Sequence, residues 1–118
     1  MSMSRDELQA KVTVIAGRYL ERVAREIEQL KTLVDDAASG DLAVVKEIET
    51  LTHRMHGSGA MLNFDEISGL AGELERMSAE FASIGKVDQP RMIPVLQRLQ
   101  AAIEKACANR SAAPSARP

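Results

Sequence analysis

His53-Arg54-Met55-His56-Gly57-Ser58-Gly59 carries both histidines of the chain one helical turn apart and follows them with two glycines, where a helix least tolerates glycine. Glycine inside a helix costs about 0.5–1 kcal/mol relative to alanine, so two within three residues either end the element or serve something other than its stability. Termination is the simpler reading, with Gly57 or Gly59 as a C-terminal cap and the histidines beside the negative end of the helix dipole. The apolar rhythm decides against it. Val45, Ile48, Thr52, Met55, Gly59 and Leu62 recur in steps of three and four straight through the glycines. The spacing therefore predicts a helix from about Leu42 to Met61, with His53 and His56 on one face and Gly57 leaving the surface beside them bare.

Outward from this helix the chain keeps the same period. Val12, Ile15, Tyr19, Val23, Ile27, Leu30 and Val34 form one stripe over roughly Asp6 to Ala38, either as one helix or as a short leading helix bent near Gly17 and a longer one. Ser39-Gly40-Asp41 reads as a stop followed by the N-cap of the histidine helix. Asn63 is expected to cap a third helix from about Phe64 to Ile84, with Ile67, Leu70, Leu74, Met77 and Phe81 facing inward and Gly85 ending it. Asp88 and Pro90 suit the start of a fourth, whereas Pro94 predicts an irregular first turn or a regular helix that begins only before Val95, Leu96, Leu99, Ile103 and Cys107. Short connections between amphipathic helices favour antiparallel neighbours, so the fold class is all-α, an antiparallel up-down four-helix bundle over residues 5–109. The last residues, 110–118, have nothing to bury and are expected to be a disordered tail.

Composition limits the function. The 118 residues suit one domain, which at this size buries about two thirds of its unfolded surface. A formal net charge of −2 argues against a general nucleic-acid binder. The lone Cys107 can make no internal disulfide, and no sustained apolar block follows the charged Arg5-Asp6-Glu7, so a cytoplasmic protein without a signal or membrane span is expected. Arg18, Arg22 and Arg25 give the first helix a basic edge, read first as a solvated face and second as a recognition surface.

The run Thr52-His53-Arg54-Met55-His56-Gly57-Ser58-Gly59-Ala60-Met61-Leu62-Asn63-Phe64, followed by Leu70-Ala71-Gly72-Glu73-Leu74-Glu75, resembles the signature of histidine-containing phosphotransfer (HPt) domains of bacterial phosphorelays. His53, Gly57, Ser58 and Leu62 fit the places of the phosphorylated histidine, the glycine, the small residue and the leucine of that family. Two positions depart from it. His56 stands where the family most often has lysine, and Asn63 where it often has glycine. A lysine supplies a permanent cation, whereas histidine donates through a ring N–H and is only partly charged near neutrality, so an altered pH dependence is expected.

The resemblance implies that His53 accepts and donates a phosphoryl group exchanged with the aspartate of response-regulator receiver domains. It implies that His56, with Arg54, steadies the transferring charge, and that Glu75 orients His53 by holding the other ring nitrogen. Arg54, Gly57, Ser58 and Ala60 would then meet the partner, with Gly57 leaving it room. No glycine-rich phosphate loop accompanies the motif, so ATP-dependent kinase activity is not expected. No cofactor is expected on this chain, and Mg2+ would belong to the receiver. A hybrid sensor histidine kinase is the other partner the resemblance brings, and the module is expected to be a monomer. Two rival readings stand beside this one. The first is an HPt-like bundle that binds a receiver or kinase without accepting phosphate. The second is metal binding by His53 and His56 with Glu49, which has too few ligands on one helix to be expected.

Overall fold

A computed structural model describes residues 4–112. Helix α1 spans Arg5–Asp36, a single 3-10 turn covers Ala37–Ser39, and α2 spans Leu42–Met61, α3 Asp65–Ile84 and α4 Gln89–Ala112. No strand occurs among the described residues, and α1 packs on α2, α2 on α3, α3 on α4 and α4 back on α1. This is the antiparallel four-helix bundle expected from the spacing. No helix among the described residues is long and apolar enough to cross a membrane.

Helix boundaries follow local chemistry. Ser4 caps α1 by accepting the Glu7 N–H, and Asp41 caps α2 by accepting the Ala43 N–H. Gly40 and Gly85 take left-handed backbone at the ends of the 3-10 turn and α3. Asn63 does not cap α3 as expected. It adopts φ +65° at the end of α2, donating its N–H to Ala60 O while the Phe64 N–H reaches Gly59 O at 2.8 Å. That pair of bonds is a Schellman motif, which needs a residue tolerant of left-handed backbone at this point. Phe64 stands at the N-cap of α3 with no side-chain cap.

Three further expectations are corrected. Gly17 does not divide the first helix, which runs unbroken. Its missing side chain instead leaves space for the Arg110 guanidinium of α4, whose Nε lies 2.9 Å from where a Cβ would stand. Pro94 sits inside α4 without delaying it, because Pro94 and the Pro90 carbonyl it cannot engage belong to exposed residues. The helix also continues through Arg110 to Ala112, past the expected boundary at residue 109; residues 113–118 of the expected tail lie outside the described residues.

The core takes Tyr19, Val23, Ile27, Leu30 and Val34 from α1, Val45, Ile48, Leu51 and Met55 from α2, Ile67, Leu70, Leu74 and Phe81 from α3, and Met92, Val95, Leu96, Leu99 and Ile103 from α4. Val12 and Ile15 belong to the same stripe but are 42% and 51% exposed. The 32 residues of α1 extend about 48 Å, whereas the 20 residues of α2 or α3 extend about 30 Å, so the first turns of α1 outrun the helices that would cover them.

Candidate functional site

Helix α2 runs on through its C-terminal half, where Gly59 admits close packing and Gly57 does not terminate the helix. A Cβ on Gly59 would stand 2.7 Å from the Tyr19 hydroxyl and 3.2 Å from Ser68 Cβ, so α1 and α3 both close on this point. Gly57, two residues earlier, faces open space with nothing within 4 Å of a Cβ position. The two glycines thus serve opposite sides of one helix.

The Tyr19 hydroxyl donates to Met55 O at 2.9 Å, and its ring stacks on Phe64 at 5.3 Å between centroids. Burial pushes the Tyr19 phenol up to about 12, partly offset by Arg22 and reinforced by Glu26, so it remains a neutral donor through the physiological range. Glu26, a carboxylate amid the apolar stripe of α1, receives Arg54 Nη2 at 3.2 Å and lies 3.6 Å from Arg22 Nε. These contacts fix the α1 side of α2.

On the α3 side, two reciprocal bonds tie the helices at one level. His56 Nδ1–H donates to Ser68 O at 2.8 Å, and the Ser68 hydroxyl donates to His56 O at 2.9 Å. The half-buried His56 ring rests in the notch left by Gly72. His56→Ala is accordingly expected to lower stability by about 1–2 kcal/mol through the lost bond and the lost packing over Gly72, read as a reduced midpoint in urea unfolding. A His56 that only met a partner would leave that midpoint unchanged.

One turn before His56, His53 stands 72% exposed with its Nδ1 2.6 Å from Glu75 Oε2. An Nδ1–H donating to this carboxylate leaves the lone pair of the neutral ring on Nε2, which makes no hydrogen bond among the described residues. Glu75 itself is three-quarters shielded, which strengthens its hold on the ring. The site is therefore an exposed imidazole with a fixed tautomer, presented from the middle of a helix.

The sequence-derived residues are not all alike in place. His53 and Glu75 meet directly across α2 and α3, while His56 has its Nδ1 engaged within the fold. Arg54 is 61% exposed yet held by Glu26, Gly57 and Ala60 lie on the exposed side, and half-buried Ser58 lines a groove with Arg18, Arg22 and Arg25 of α1. That groove joins the basic edge to the end of α2. Sequence reasoning missed Glu26, Ser68 and Tyr19 as supports. Glu26 carried a signal, since an acidic residue between Val23 and Ile27 interrupts a core stripe. Ser68 carried none.

The arrangement is a helical bundle that exposes one histidine against a carboxylate of the adjoining helix. Comparison with family models matches the Hpt domain over residues 14–110, and the chain belongs to that family. Its members carry out histidine phosphotransfer in phosphorelays and interact with receiver domains and kinases. No curated protein and no solved structure matches the chain.

Proposed function

We propose that this protein is a phosphorelay intermediate whose His53 takes a phosphoryl group from, and returns it to, the aspartate of a response-regulator receiver domain. The observation that carries this reading is the 2.6 Å contact of His53 Nδ1 with Glu75 Oε2 on a side chain otherwise open to solvent. In the transfer, Nε2 attacks phosphorus as the acyl-phosphate O–P bond breaks, and the aspartate leaves as a carboxylate with the bonding pair. The Nδ1 proton stays on the ring, so the phosphorylated imidazole is cationic and Glu75 stabilises that charge. Mg2+ on the receiver would neutralise the donor carboxylate and the transferring group. Arg54, Gly57 and Ala60 border the surface the receiver would meet, with Gly57 offering no side chain to its approach. A hybrid sensor kinase carrying such a receiver is the partner upstream, and the cytoplasm is the compartment where both are found.

The test is incubation of the protein with a phosphorylated receiver domain and Mg2+, followed by mapping of the label. Acid-labile, alkali-stable phosphate on His53 is the expected result. Receiver binding without label would replace this reading by the non-phosphorylated adaptor. Glu75→Ala is expected to slow transfer by about tenfold to a hundredfold, since the ring loses its tautomeric bias and its counter-charge together. Quenched-flow transfer kinetics check it, and an unchanged rate would remove Glu75 from the site.

A further inference from the structure

The family position that most often holds a lysine holds His56 here, and the Nδ1–H of His56 is spent on the Ser68 carbonyl. In that tautomer the neutral ring turns a lone pair outward, an acceptor where a phosphoryl group needs a donor. Arg54 is paired with Glu26. Lys46, the other cation on the exposed side of α2, lies two turns before His53. The fixed positive charge near His53 has to be sought off α2.

Helix α3 holds one. Gly72, Glu75 and Arg76 are spaced i, i+3 and i+4 and share a face, and a long side chain on a helix leans back over the turn before it. Arg76 does so: its Nη1 lies 3.4 Å from where a Cβ on Gly72 would stand, and His56 Cε1 lies 2.7 Å from the same point. A side chain at 72 would evict one group or the other. Among the described residues no carboxylate pairs with Arg76: Glu80, four residues on, is held by Arg91, and Glu75 is turned to His53. The guanidinium is exposed and keeps all five donors for something outside the fold.

We propose that Arg76 is the phosphoryl-binding cation of this module, taking from α3 the task that a neutral His56 cannot perform from α2. The inference rests on His53 being the phosphoacceptor. Glu75 and Arg76 then act as a pair from adjacent positions, one holding the imidazole and the other meeting the phosphoryl oxygens. Arginine suits this because its charge is permanent and its planar fork can take two oxygens at once.

The experiment uses phosphoramidate as a small donor, so that docking of a partner protein does not enter. The donor reacts as N-protonated phosphoramidate: its P–N bond breaks as the Nε2–P bond forms, neutral ammonia leaves with the bonding pair, and the Nδ1 proton stays facing Glu75. Arg76→Gln is expected to label about tenfold more slowly than wild type, with Arg76→Lys regaining most of the rate. Arg98→Gln, which removes an exposed charge from α4, should match wild type. The phosphorus NMR resonance of phosphorylated His53 should shift in Arg76→Gln and not in Arg98→Gln. Wild-type labelling with Arg76→Gln equally fast, or with Arg76→Lys no faster than Arg76→Gln, overturns the role of Arg76 alone. No label on wild-type His53 overturns the phosphoacceptor reading and this inference with it.

Discussion

His53→Gln abolishes phosphoryl acceptance while leaving the fold and any receiver binding in place: this is the largest expected change in activity from a single substitution. Glutamine keeps an N–H that can reach Glu75 but offers no nucleophilic nitrogen in place of Nε2. The side chain is 72% exposed and supports no core contact, so unfolding free energy should stay within about 0.5 kcal/mol of wild type. Transfer of radiolabelled phosphate from a phosphorylated receiver, run beside a binding titration with that receiver, separates the two effects. Label retained by the variant would move the acceptor elsewhere. Loss of binding together with label would make His53 a docking residue first.

The largest expected change in stability comes from Gly59→Val. The first added carbon would stand 2.7 Å from the Tyr19 hydroxyl and 3.2 Å from Ser68 Cβ, and the two methyl groups beyond it have nowhere to go. Overpacking of this kind costs about 1–3 kcal/mol, and displacing Tyr19 from Met55 O adds about 1 kcal/mol. Gly57→Ala should have the opposite sign, gaining about 0.5–1 kcal/mol, because its position is open and helix propensity alone acts there. Urea unfolding of the two variants gives both answers. Equal shifts of the same sign would mean that the glycines are present for a shared backbone reason instead of for two different surfaces.

The sequence made the bundle legible because apolar spacing continued through Gly57 and Gly59, and the start of α2 follows directly from Asp41. Length was the harder matter. Val12 and Ile15 keep the period of Val23 and Ile27, but periodicity describes one helix and cannot tell how far its neighbours reach. Pro94 misled because its cost depends on whether the carbonyl it abandons is buried, which the sequence does not state. Asn63 suits a cap for the following helix by residue type, but its left-handed backbone closes the preceding one, the two roles drawing on the same side-chain type. At the site, His53 stood out by motif, and Glu75 came from the resemblance, since a separation of 22 residues has no local signature. Ser68 and Arg76 depend on how two helices face each other across Gly72. That register is tertiary information.

His53, His56, Gly72, Glu75 and Arg76 all lie within continuous helix and none lies on a loop. The conformational entropy of ordering them is settled when the chain folds, so an arriving partner finds the site already assembled. Such a site needs no loop to close before a phosphoryl group can cross it. On the proposed function, traffic across it would be governed by the populations of donor and acceptor on either side, and the module would behave as a conductor whose current reverses when those populations do.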